Sequence, residues 1–228
     1  MTSLEEYDAV RRRLEPVLSA ADPRQAVPAC PGWSVHDVLA HLVGLCEDWV
    51  HGRLDGYASE EWTAAHLERH RGESCASLLE TWSTTMTAFA EVDDSPLGAT
   101  PARWAFGDAV VHEGDLRGAT ASGRVPETAA ELSLQRSLPR WQQALRQAGL
   151  GGVRVIRPDG RELWTGSPDD ERAIEFEVEV DTYELFRGLA GRRSAVQVGG
   201  WSWSCDPSPC LTAGPPYPFR WARDPIAD

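Results

Sequence analysis

The sequence predicts an α+β protein, with a helical domain at about residues 1–148 followed by a small α+β domain at about residues 152–228. Two patterns lead to this prediction. Apolar residues recur at helical spacing through the first half of the chain, whereas apolar and acidic residues alternate strictly over residues 174–181. The glycine-rich segment 149–152 separates the two patterns, so we place the domain junction there.

Six helices are predicted in the first half from the spacing of apolar residues and from boundary signals. The best-defined start is that of the second helix, where Ser34 is an N-cap residue and Asp37 is placed to complete a capping box. Pro101 fits the first turn of the fifth helix, and Pro139 is expected to kink the sixth. A loop is expected over residues 93–98. The predicted helices cover residues 4–18, 34–50, 62–70, 74–92, 100–119 and 127–148.

The second half combines strands with a short helix. The turn residues Pro158-Asp159-Gly160, which lie between apolar stretches, predict a β-hairpin. The alternating segment 174–181 predicts a strand with one buried and one solvated face. Residues 183–189 predict a short helix that ends at Gly191, and the apolar residues within segment 196–203 predict a further strand.

The composition is that of a folded protein and excludes several classes of partner. Hydrophobic residues make up 42% and charged residues 25% of the 228 residues, which is ordinary for a chain that buries a core. The net charge of −13 argues against a nucleic-acid partner, because phosphate binding needs a basic face. The sequence has no apolar run of membrane-spanning length and no signal-peptide core. The five cysteines are scattered, so we expect free thiols in a reducing cytoplasm.

Three side chains in the helical half are candidates for a metal site. His41 lies at the edge of the apolar stripe of the second helix, where it is expected to face a neighbouring helix. Asp108 and His112 are four residues apart on a later helix, so their side chains stack on one face. A histidine from a facing helix would complete a site with open coordination positions. That arrangement is typical of a catalytic site for zinc, nickel, iron(II) or cobalt.

Other interpretations of such residues stay open at this point. An Asp/His pair at this spacing is commonly a solvated surface pair, and a histidine beside an apolar stripe is commonly a hydrogen-bonded core residue. His66 and His70 form a second stacked pair and a weaker metal candidate, because charged neighbours indicate an exposed face. Cys205 and Cys210 lack a second cysteine pair, so we attribute their proximity to coincidence.

Several segments resemble one protein family, in the expected order. Residues 27–42, with the sequence VPACPGWSVHDVLAHL, are similar to the start of the metal-binding helix of the mycothiol-dependent maleylpyruvate isomerase family, a branch of the DinB-like bundles. Residues 108–117 resemble the second metal segment of that family. Residues 184–187, residues 191–194 and Gln197 resemble its small sterol-carrier-like C-terminal domain.

The resemblance implies a DinB-like up-down four-helix bundle that holds one divalent metal ion, Zn²⁺ first among the candidates, through His41, Asp108 and His112. It also implies mycothiol as a thiol cosubstrate. The best-known member has glutamate where this chain has Asp108, so the ligand arm is shorter here. The family's named isomerase binds its dicarboxylate substrate with arginines. The candidates for that role in this chain are Arg103, Arg117 and Arg193.

From these residues and the resemblance we expect a metal-dependent enzyme that activates a low-molecular-weight thiol. The thiolate would add to an electrophilic, carboxylate-bearing small molecule and give cis/trans isomerisation or S-transfer. Asp115 and Glu113 are expected to orient a metal-binding imidazole. Two alternatives stay open: a non-catalytic protein of the same fold that binds metal or a small ligand, and a metal-assisted hydrolase. We expect a monomer or homodimer with no membrane partner.

Overall fold

The computed structural model describes residues 3–92, 101–165, 174–216 and 218–228. The chain divides into two compact units, one running to Arg124 and including Asp228, the other spanning Val125–Ala227. Helices build the first unit, and a small mixed sheet with helices builds the second. The predicted α+β fold class is therefore confirmed. No helix among the described residues is long and apolar enough to cross a membrane.

The first unit is a bundle of four long helices with a fifth, shorter helix attached. Helix α1 packs against α4 and α5, whereas α2 packs against α3, α4 and α5. Because α2 has neighbours on several sides, most of its side chains are buried, including that of His41. The helices of this unit are α1 (Ser3–Ala20), α2 (Val35–His51), α3 (Glu60–His70), α4 (Cys75–Phe89) and α5 (Pro101–Ala119).

The start of α2 follows the local signal in the sequence. The side chain of Ser34 accepts a hydrogen bond from the backbone N–H of Asp37, and the Asp37 carboxylate accepts one from the backbone N–H of Ser34. This confirms the predicted capping box, which satisfies two N–H groups that the first helical turn leaves unpaired. Gly52 ends the helix with φ 66°, a left-handed conformation that glycine adopts readily.

The second unit is built around a mixed sheet. Its described strands lie in the order β2-β1-β3-β4, with β1 parallel to β3 and antiparallel to β2. The predicted hairpin and the predicted alternating strand are both present, as β1–β2 and as β3. The elements are α6 (Glu127–Gln147), β1 (Gly152–Ile156), β2 (Glu162–Trp164), β3 (Ile174–Glu179), α7 (Thr182–Leu189), α8 (Ala195–Gly199), β4 (Ser202–Trp203) and α9 (Ser208–Ala213).

The structure differs from the sequence-based interpretation in two places. Helix α6 packs on α7 and β1 and so groups with the second unit, whereas the sequence placed the junction after residue 148. The strand predicted over residues 196–203 is wrong in its first half. Ser194 and Gln197 form a capping box there and start α8, which leaves the Val196 side chain 80% exposed. The predicted loop at 93–98 and the start of the fifth helix at Thr100 lie outside the described residues.

Candidate metal centre

Helices α2 and α5 bring His41, Asp108 and His112 together. Asp108 and His112 are one turn apart on α5, and His41 projects from α2, which packs against α5. One potential ligand atom from each residue lies within 4.8 Å of the other two. The histidines are only 5% and 8% exposed. The solvated surface pair considered for Asp108 and His112 therefore does not describe them.

The geometry of these atoms fits a divalent ion. His41 Nε2 lies 3.2 Å from Asp108 Oδ2, and His112 Nε2 lies 3.9 Å from Asp108 Oδ1. Two atoms bound to one tetrahedral zinc at about 2.1 Å lie about 3.4 Å apart. The two separations from Asp108 lie near that value, and one potential ligand atom of each residue lies within 4.8 Å of the other two, which suits a common ion. Two imidazoles and one carboxylate leave coordination positions for an exogenous ligand.

Aromatic rings flank the histidines and leave one side open. Trp33 stacks nearly parallel to His112, with ring centroids 6.2 Å apart and planes 16° apart. Trp62 meets His41 edge-on with centroids 6.3 Å apart. The Asp108 side chain is 33% exposed. Asp108 is therefore the most exposed of the three candidate ligands.

Two further side chains, those of Asp115 and Cys30, contact the Nδ1 atom of His112. Its Nδ1 lies 2.9 Å from Asp115 Oδ2, and the same carboxylate oxygen accepts a 3.2 Å hydrogen bond from the Cys30 thiol. Burial of the ring lowers its pKa, but the charge of Asp108 and the contacts with Cys30 and Asp115 outweigh burial and raise the pKa of His112 to about 10. Cys30, His112 and Asp115 also form a second group with metal-ligand spacing. Because this group uses Nδ1, it lies on the opposite edge of the His112 ring.

His66 contacts the Nδ1 atom of His41. The Nδ1 atoms of the two rings are 3.1 Å apart, and His66 Nε2 lies 2.9 Å from Asp48 Oδ2. Asp48 in turn accepts hydrogen bonds from Arg53 Nε at 2.7 Å and pairs with Arg69 Nη2 at 2.9 Å. Burial lowers the pKa of His41, against the opposing charge of Asp108.

The exposed face predicted for His66 and His70 is wrong. The two residues are 0% and 3% exposed, because α3 packs this face against α2. His70 Nδ1 lies 2.8 Å from Glu73 Oε1, and its Nε2 lies 3.2 Å from Glu47 Oε2. Within the described part of the chain, neither histidine belongs to a group of three potential metal ligands.

The three candidate arginines differ in their surroundings. Arg117 donates from Nε to Glu113 at 3.0 Å, and Arg193 forms a bidentate pair with Glu184 at 2.6 and 2.8 Å. Arg103 is exposed on α5. Of the two acidic residues expected to orient an imidazole, Asp115 contacts His112, whereas Glu113 pairs with Arg13 at 2.8 Å.

The sequence predicts no role for Cys30 or Asp48, and it predicts His66 only as part of a weaker metal candidate. One signal for His66 is present in the sequence: Gly44 lies in the middle of α2, where glycine costs about 1 kcal/mol relative to alanine. A Cβ at Gly44 would lie 2.6 Å from Cγ of His66. The glycine therefore marks the close approach of another side chain. No comparable signal identifies Cys30 or Asp48.

Comparisons with known proteins agree with the fold and the order of its segments. Residues 4–193 match the family model described as the mycothiol maleylpyruvate isomerase N-terminal domain. The fold is similar to the crystal structure of the mycothiol-dependent maleylpyruvate isomerase, with a TM-score of 0.57, 18% sequence identity, and coverage of 96% of this chain and 95% of that chain. A histidine-to-alanine mutant of that isomerase gives a TM-score of 0.55 at 17% identity, with the same coverage. No curated protein sequence matches the chain.

Proposed function

Because the chain belongs to the mycothiol maleylpyruvate isomerase N-terminal domain family, we propose that it is a metal-dependent enzyme that activates a low-molecular-weight thiol. The thiol is mycothiol or a chemically similar compound, and the acceptor is a small electrophile that carries a carboxylate. The observation that supports this proposal most directly is the convergence of one potential ligand atom from each of His41, Asp108 and His112 within 4.8 Å. Two imidazoles and one carboxylate suit Zn²⁺, which we propose as the ion.

A bound divalent ion supplies Lewis-acid chemistry, which lowers the pKa of a coordinated thiol so that it is a thiolate near pH 7. The chain's own contribution is positional. Asp115 and His66 hold the Nδ1 atoms of the two ligand histidines, which directs both Nε2 atoms to the Asp108 side of the site. The rings of Trp33 and Trp62 limit water around these histidines.

The proposed chemistry is addition of the thiolate sulfur to an activated carbon–carbon double bond. The new C–S bond turns the double bond into a single bond and places the electron pair on the carbon next to an electron-withdrawing carbonyl. Rotation about that single bond, followed by expulsion of the thiolate, restores the double bond and gives the isomer. If a proton is captured first, the adduct persists and the outcome is S-transfer.

For recognition of a substrate carboxylate we propose Arg103, Arg117 or Arg193. Arg103 lies on α5, five residues before Asp108, and it is exposed. Arg117 and Arg193 each already neutralise a glutamate of their own unit, Glu113 and Glu184.

Two measurements test the proposal. The first is metal analysis of protein purified without chelators, with the variants His41→Ala and His112→Ala; we expect about one zinc per chain in the native protein and loss of zinc in both variants. The second is an assay of thiol-plus-electrophile mixtures, in which product must form only when both thiol and metal are present. Full turnover by metal-free protein would contradict the proposal.

The same assay separates the proposal from its alternatives. Stabilisation of the protein by a ligand without any product would indicate a binding protein. Turnover of an ester or amide without added thiol would indicate a hydrolase, in which water takes the position assigned to the thiol. We also propose a cytoplasmic location, where thiols stay reduced, and a monomer or homodimer as the working form.

A further inference from the structure

We propose that His66 is a positioning residue that fixes the tautomer of His41 through the buried chain His41–His66–Asp48. In this chain of hydrogen bonds, His41 donates from Nδ1 to His66, and His66 donates from Nε2 to Asp48. A metal ion bound by the lone pair of His41 Nε2 would take the place of the 3.2 Å contact that this atom makes with Asp108 Oδ2. The inference rests on the metal site of the proposed function and adds the residue that orients His41 for metal binding.

The geometry supports two hydrogen bonds in series. His41 Nδ1 and His66 Nδ1 are 3.1 Å apart, and His66 Nε2 is 2.9 Å from Asp48 Oδ2. His66 is 0% exposed and Asp48 is 2% exposed, so water does not compete for either bond. Both separations lie within the range of about 2.7–3.2 Å that ordinary N–H hydrogen bonds show.

The direction of donation follows from the far end of the chain. The Asp48 carboxylate receives Arg53 Nε at 2.7 Å and Arg69 Nη2 at 2.9 Å, so it is paired with two guanidinium groups and acts as an acceptor. His66 must then donate to it from Nε2. A neutral His66 with its proton on Nε2 has a lone pair on Nδ1, and only a donor can satisfy that lone pair. When His41 Nε2 binds a metal ion, the ring proton of His41 is on Nδ1, so His41 Nδ1 is the donor to His66.

Close packing holds His66 in the orientation that this relay needs. The backbone of α2 passes the ring at Gly44, where a Cβ would lie 2.6–2.7 Å from three atoms of the His66 side chain. On its other side the ring meets Trp62 edge-on, with centroids 4.1 Å apart. The ring therefore has little freedom to rotate away from His41.

His70 provides a matched comparison on the same helix. It lies one turn after His66 and is almost equally buried, at 3% exposure. Its two nitrogens face Glu73 and Glu47. Replacing His70 therefore perturbs a buried, carboxylate-paired histidine of α3 without touching the hydrogen bond to His41.

The first test measures Zn²⁺ affinity by competition with a chromophoric chelator. In His66→Phe the ring shape is kept but the acceptor for His41 Nδ1–H is lost, so we expect zinc to bind about 10- to 100-fold more weakly. His66→Gln keeps an amide oxygen that accepts and an N–H that donates, and we expect a change of less than about threefold. His70→Phe should also stay within about threefold. Native-like affinity in folded His66→Phe would overturn the proposal.

The second test needs no variant and guards against misfolding. Two-bond ¹⁵N–¹H correlation spectra of the zinc-loaded native protein, labelled in its histidine rings, report which ring nitrogen carries the proton. We expect a proton on Nδ1 of His41 and on Nε2 of His66; the opposite tautomers would overturn the proposal. If native protein binds no zinc, the proposed function fails. If native protein and His66→Phe bind zinc equally, the relay alone fails.

Discussion

Replacing Gly44 by alanine is expected to destabilise the protein, although alanine is the better helix former. The new Cβ would lie 2.6 Å from Cγ and 2.7 Å from Cβ and Cδ2 of His66. Unstrained carbon contacts are about 3.5–4.0 Å, so the His66 ring would have to move by about 1 Å. Such a movement takes both ring nitrogens beyond hydrogen-bond distance, because they now lie 3.1 Å from His41 and 2.9 Å from Asp48.

The magnitude follows from three opposing contributions. Overpacking of this kind costs about 1–3 kcal/mol, and each lost hydrogen bond costs about 1 kcal/mol. The greater helix propensity of alanine returns about 1 kcal/mol. We therefore expect the free energy of unfolding to fall by about 3 kcal/mol, and zinc affinity to fall with it, since His41 loses its partner.

The assay is urea unfolding of the chelator-treated protein, followed by circular dichroism, with and without added Zn²⁺. The control repeats Gly44→Ala in a His66→Gly background, where all three clashing atoms of His66 are absent. In that background the substitution should be neutral or should stabilise the protein by up to about 1 kcal/mol. A single Gly44→Ala variant as stable as the native protein would refute the reasoning, because it would show that His66 can move at little cost.

Three further predictions concern the metal site and its surroundings. With a pKa of about 10, His112 is protonated at neutral pH, and an ion that binds at Nε2 must displace the Nε2 proton. Calorimetry in buffers of different ionisation enthalpy should therefore show about one proton released per zinc bound. The zinc affinity should rise with pH between about 6 and 8. Glu113→Gln should lower the free energy of unfolding by about 2 kcal/mol, because Arg13 and Arg117 lose the charge that they share, while the zinc content stays unchanged. Ser34→Ala removes the N-cap of α2 and should cost about 1 kcal/mol in urea unfolding, rescued by Ser34→Asp. Zinc binding without proton release would contradict the first prediction. Loss of zinc in Glu113→Gln would contradict the second, and an unchanged unfolding midpoint in Ser34→Ala would contradict the third.

Local signals in the sequence were sufficient wherever a structure depends on neighbouring residues. The capping box of Ser34 and Asp37 defines the start of α2, and the alternation over residues 174–181 predicts β3. The hairpin turn at Pro158-Asp159-Gly160 is another example. The same local reasoning fails at Val196. The apolar pattern there predicts a strand, but a capping box starts α8 and leaves the Val196 side chain exposed.

The sequence by itself also determined that Asp108 and His112 share one face of a helix, since their spacing of one turn is a property of the helix itself. Only the tertiary structure decided that His41, 67 residues away from Asp108, faces the same point. Likewise, the structure revealed that His66 is buried behind His41 and that Arg117 and Arg193 are each paired with a glutamate. The physical reason is that spacing along a helix fixes which residues share its face, whereas the packing of α2 against α3 and α5 fixes what that face meets.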